Sequence, residues 1–130
     1  MRMRILYVAH WLIPWLILAL GMYAIVKFVR GYMNEVAFTD ADSRLVIVFS
    51  GLMDLQALIG LSYFLWSGSI IGIFPTYRIG HGIIMLIAVI IPHFSPLLKD
   101  ADSSTRYINN FYLLLASFLL MLVGISLIPM

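Results

Sequence analysis

ILYVAHWLIPWLILALGMYAIVKFV, residues 5–29, is the stretch whose reading decides the fold. A helix that crosses a bilayer needs about 20 mostly apolar residues at a rise of about 1.5 Å each. This run supplies that length and carries one formal charge, Lys27, close to its end. Met1-Arg2-Met3-Arg4 in front of it gives the start the look of a signal peptide. The run is longer than a usual signal core, so we read it as a retained first transmembrane helix.

Three further runs qualify on the same count, over residues 45–66, 79–97 and 108–129. The expectation is therefore an all-α protein, an integral membrane up-down-up-down four-helix bundle forming a single transmembrane domain over residues 1–130. Composition agrees. Of the residues 63% are hydrophobic and 11% charged, against about 25% charged in soluble domains. A chain this poor in polar surface cannot cover a water-soluble fold.

The same numbers exclude several functions. Net charge is +2, and aromatic and basic residues do not interleave on a polar face, so nucleic acid is not a partner. There is no cysteine, which rules out disulfides, thiolate metal sites, iron–sulfur clusters and covalently attached c-type haem. No Gly-rich phosphate loop, nucleophile elbow or pair of hydrolytic carboxylates is present, and no independent catalytic activity is expected.

Asp40-Ala41-Asp42-Ser43 stands before the second run and Asp100-Ala101-Asp102-Ser103 before the fourth. Asp and Ser oxygens accept from the unpaired first-turn amides, so both stretches read as helix N-caps that arose by convergence. The connection from Ser67 to Arg78 contains Pro75 but also Ile70, Ile71, Ile73 and Phe74, and is expected to lie in the membrane interface. Trp11, Trp15, Tyr23, Tyr63, Trp66, Tyr77, Tyr107 and Tyr112 mostly fall near predicted helix ends, where amphipathic rings anchor in the headgroup zone. With four spans, Arg2, Arg4 and Arg78 share one side, and Lys27, Arg30, Arg44, Lys99 and Arg106 the other. The positive-inside rule favours the second side as cytoplasmic and so the termini outside.

Ionisable residues within a membrane are costly and tend to be functional. Here they are His10, Asp54, His81 and His93, with Gln56 as a polar neighbour. From helix rise, His10 lies about 10 Å from the middle of the first helix and His81 about 10 Å from the middle of the third, toward the same side. Two histidines at one depth on diagonal helices are what a bis-histidine b-type haem requires. Gly80 and Gly82 flank His81 and leave room for close approach of a ring. Interfacial histidines bonded to water or backbone are the plainer alternative.

His93 lies between Pro92 and Pro96 in a segment where the third helix should bend or end. It is within reach of either a freed carbonyl or Asp54, about 5 Å away in depth. Asp54 sits near the middle of the second helix and should face the bundle or a subunit interface, or be protonated. Gln56, on a different part of the helix surface, is able to bond a different neighbour.

The chain also resembles a family of small four-helix membrane proteins of Bacteroidetes and related bacteria labelled cytochrome b-like. The resemblance spans nearly the whole chain. It rests on His10-Trp11, on Phe38-Thr39 with the acidic cap after it, on Leu55-Gln56-Ala57-Leu58-Ile59-Gly60-Leu61, and on His81 followed by Met85-Leu86-Ile87-Ala88 and His93. The family places a histidine before the Leu-Gln pair, where this chain has Asp54. The resemblance implies a haem b held in the bacterial cytoplasmic membrane, and electron transfer with quinone or a partner complex.

Two other readings stand beside it. A non-catalytic accessory subunit of a respiratory or photosynthetic assembly, or a homo-oligomer, would use Asp54 and Gln56 to bond partner helices. A proton-coupled small multidrug transporter has similar size, but carries its carboxylate in the first helix, where this chain has none.

Overall fold

In the computed structural model, which describes residues 1–129, the chain is an all-α four-helix bundle with no strand among the described residues. Helix α1 spans Arg2–Met33, α2 Asp40–Ile71, α3 Thr76–Ile90 and α4 Ser103–Ser126. A 3₁₀ segment, Ile91–Leu98, prolongs α3. Each of the four is long and apolar enough to cross a membrane when α3 and its extension are taken together, which is compatible with a multi-pass membrane protein.

Helices α1 and α2 overrun the predicted apolar runs at both ends, and at α2 polar side chains cap the start. At α2, Thr39 is the N-cap and Asp42 closes a capping box. The Thr39 amide donates to Asp42 Oδ2 at 2.9 Å, and the Asp42 amide donates to Thr39 Oγ1 at 3.4 Å. At α4, Asp102 occupies the N-cap position without a side-chain capping bond. Its neighbour Ser103 instead accepts from the Phe38 amide at 2.9 Å, tying the α1–α2 loop to α4.

The expected Ser67–Arg78 connection is much shorter. Helix α2 continues through Ser67-Gly68-Ser69 to Ile71, and only Gly72–Pro75 links it to α3. Ser67 and Ser69 donate to the carbonyls of Phe64 and Trp66 within their own helix, so these hydroxyls do not interrupt it. The helix stops at Gly72, whose φ of 72° is the left-handed C-cap conformation that suits glycine. At the third helix the prolines act as their chemistry requires. The α-helix ends at Ile90, and the segment holding Pro92 and Pro96 goes on in the tighter 3₁₀ form.

Helix α1 packs on α2 and α4, and α3 packs on α4 and more lightly on α2. This leaves α1 and α3 as one diagonal pair and α2 and α4 as the other. The core runs along the bundle axis through Ile17, Ala24, Phe28, Phe49, Met53, Leu114 and Met121. The outward faces are equally apolar, with Ile47, Leu58, Ile83 and Leu97 exposed. A soluble bundle would be polar there.

Candidate functional site

Three of the polar clusters that interrupt the apolar bundle bring together ionisable side chains, while Ser95 and Asn110 join the 3₁₀ segment to α4. The first lies where the loop after α1 meets the starts of α2 and α4. Asp42 is 1% exposed and pairs with Lys27 of α1 at 2.5 Å. The Tyr107 hydroxyl of α4 lies 2.8 Å from Asp42 Oδ2 and 3.0 Å from the Ala37 carbonyl. Arg106 lies over the Phe38 ring at 4.2 Å and donates to Ser43 Oγ at 3.0 Å. Both carboxylate oxygens of Asp42 are satisfied, one by the ammonium and the other by Thr39 and Tyr107. This cluster holds α1, α2 and α4 together and has no polar capacity left on Asp42.

The second cluster lies toward the other end. His10 of α1 and His81 of α3 reach across the diagonal until their ring centroids are 6.2 Å apart, edge to face. Each ring is held at Nδ1. The His81 Nδ1–H donates to the Gly124 carbonyl at 2.7 Å. That carbonyl belongs to the last turn of α4, where it also accepts from the Leu127 amide at 3.3 Å. Because a carbonyl only accepts, the proton is on Nδ1 and Nε2 of neutral His81 is a free lone pair.

Gln56 of α2 holds His10. Its Nε2 donates to the His10 carbonyl at 2.8 Å and to His10 Nδ1 at 2.9 Å. This uses both amide hydrogens on one residue. Gln56 is 3% exposed, and its Oε1 is buried with no donor. A buried acceptor left alone is costly, and in a folded protein it calls for an explanation. The Tyr63 ring stacks beside His10 at 6.3 Å, Tyr7 packs on Tyr63, and Arg78 sits 6.0 Å from the Tyr63 ring while donating to Ser67 Oγ at 2.9 Å.

His10 lies so close to α2 because position 60 is glycine. A Cβ there would stand 2.7 Å from His10 Cε1. Beside His81, a Cβ on Gly82 would meet nothing within 4 Å and one on Gly80 only Leu127 at 3.7 Å, so the space next to these two glycines is open. Gln56, Gly60, Tyr63 and Ser67 recur at helical spacing on one stripe of α2. That stripe of non-aliphatic residues is the signal that would have tied Gln56 and Tyr63 to His10.

The third cluster is Asp54 with His93, their Oδ1 and Nε2 2.9 Å apart. It joins α2 to the 3₁₀ segment on the outside of the bundle, and the two side chains are 51% and 50% exposed. Asp54 and Gln56 thus bond different neighbours, one outward and one inward. Among the described residues no three or more His, Asp or Glu side chains converge as a metal site would require.

No known protein family, no curated protein and no solved structure matches this chain. What the fold and the clusters define is a class, an all-α bundle of four helices each able to cross a membrane, with a histidine pair between its diagonal helices.

Proposed function

We propose that this protein is a small subunit of the bacterial cytoplasmic membrane that binds a b-type haem between His10 and His81 and passes electrons. One observation carries the reading, the 6.2 Å between the two ring centroids. Two imidazoles at one level on diagonal helices, facing each other without a bond between them, are the residues that would hold a b-type haem. The donor set fits as well. Anchoring His81 through Nδ1 to a carbonyl is how metal-ligating histidines are oriented, with Nε2 left for the metal.

In this arrangement Gln56 Nε2 donates to His10 Nδ1, and His10 would present Nε2 as a ligand only after Gln56 re-orients so that Oε1 accepts from Nδ1–H, giving up both bonds that Nε2 now donates to His10. A bound haem would supply one-electron redox chemistry. The chain's own residues orient the ligands through Gly124 and Gln56, flank them with Tyr63, and place Arg78 as positive charge at this end. The resemblance to cytochrome b-like proteins points the same way. Quinone or a membrane partner is the redox partner in this reading, and the basic side near Asp42 is cytoplasmic.

The test is the visible spectrum of the protein purified from haem-replete cells. A Soret band that shifts on dithionite reduction is expected, lost in both His10→Ala and His81→Ala and kept in His93→Ala. Absence of the band, or its survival in the two variants, rejects the reading. The outward Asp54–His93 pair favours a second reading, a non-catalytic accessory subunit whose α2 and 3₁₀ segment dock against other membrane helices. Stable copurification of another membrane protein with the wild type, lost in Asp54→Leu, would support it.

A further inference from the structure

The Asp54–His93 pair turns outward close to the middle of α2, so in a bilayer it faces the hydrocarbon. Polar groups at that depth are rarely left to lipid. The pair uses one oxygen of Asp54 and one nitrogen of His93, with no other side-chain bond to either residue. With one proton shared between Asp54 Oδ1 and His93 Nε2, Asp54 Oδ2 remains as an acceptor and His93 Nδ1–H as a donor.

We propose that this face is the contact between two copies of the chain, related by a two-fold axis along the membrane normal. The leftover atoms are self-complementary. Each copy presents one unused acceptor and one unused donor at a single depth, and a two-fold axis along the normal brings equal depths together. His93 Nδ1–H of each copy then reaches Asp54 Oδ2 of the other, and the four side chains close a ring in which each ring N–H and each carboxylate oxygen has a partner. An unrelated helix would have to bring a matching donor and acceptor to the same level.

The surface around the pair has the form such a contact needs. Ile47, Gly51, Asp54, Leu58, Leu61 and Leu65 are all exposed and follow one another at four- and three-residue steps. That spacing is the seam of a left-handed helix pair. Gly51, one turn before Asp54, has open space where a Cβ would be, so two α2 helices are able to approach closely there. The proposal rests on the chain spanning a bilayer and is independent of haem.

The natural chain has no cysteine, so single cysteines report the contact in liposomes holding only this protein. Leu58→Cys, one turn from Asp54, is expected to give a disulfide-linked dimer with copper phenanthroline. Leu16→Cys, on the outer face of α1, is expected to stay monomeric. Adding Asp54→Leu to Leu58→Cys should lower the yield roughly tenfold, the scale of a few interhelical polar contacts. Asp54→Asn, which keeps an acceptor, should restore most of it. Helicity by circular dichroism identifies any variant that fails to fold, and His93→Leu then carries the comparison. Equal cross-linking at positions 16 and 58 overturns the proposal. So does a monomer at Leu58→Cys, which would assign the face to lipid or another protein, or a yield indifferent to Asp54 and His93.

Discussion

The two ends of the bundle treat buried polar groups in opposite ways. At the Asp42 end, a carboxylate that is 1% exposed has a cation, a phenol, a hydroxyl and an amide around it, and neither of its oxygens is left over. At the His10 end, two imidazoles face each other without bonding, and a buried amide oxygen has no donor. Both ends are polar, and both draw on several helices. The difference is saturation of the central acceptor: Asp42 has no oxygen left over although Arg106 Nε near it lacks a partner, whereas Gln56 Oε1 is itself the orphan. A saturated acceptor fixes the relative height and rotation of helices, whereas an unsatisfied one is a place for something else to bind.

Substitutions that separate architecture from site test this contrast. The largest effect is expected from Asp42→Ala, which leaves Lys27 and Tyr107 facing an empty position. Breaking a buried pair from one side costs about 3–5 kcal/mol. Lys27 is partly exposed, so the lower end of that range is expected, read as a fall in melting temperature in detergent with any visible absorbance of the folded fraction unchanged. A stability loss under about 1 kcal/mol would mean that the cluster is not what holds this end together.

Next is Gly60→Leu, which drives a side chain into the space His10 occupies. Overpacking of this kind costs about 1–3 kcal/mol. Unlike Asp42→Ala, it should also abolish or shift any ligand-dependent absorbance, because it displaces the His10 ring. Tyr107→Phe removes one hydroxyl from Asp42 and should cost about 1.5 kcal/mol, the low end for a hydrogen bond to a charged group. The smallest stability change is expected for Gln56→Leu. It removes two donated bonds but also the unsatisfied Oε1, so the net should stay within about 1 kcal/mol. Its effect belongs to the site, as a changed reduction potential or spectrum. A large destabilisation by Gln56→Leu would make the two ends alike and remove the contrast.

Much of this was legible in the residues. Four apolar runs with capped ends lead to the all-α bundle, and counting rise along each helix predicted that His10 shares a level with His81 and that Asp54 lies near His93. The ring separation of 6.2 Å and the 2.9 Å contact agree with those depths. Rotation about the helix axis was not legible. That Gly60 of the neighbouring helix lies against the His10 ring is visible only once α1 and α2 are packed. Tyr63 reads as an interfacial anchor and lies stacked on His10. The Ser67–Arg78 stretch reads as a connection, but serine hydroxyls that bond back into their own helix let α2 run on to Ile71.

The residues by themselves determined how many helices there are, where they end to within a turn or two, and the depth of each polar side chain. Length and depth follow from a rise per residue that does not depend on neighbours. Which way a side chain faces was decided only by the tertiary structure. In this chain the outward and inward surfaces are both apolar, so amphipathicity, the signal that orients a helix in water, is nearly absent. Orientation came instead from the few contacts that are not interchangeable. Asp42 has to meet Lys27 and Tyr107, Gln56 has to meet His10, and Asp54 turns away from both to meet His93 on the outside.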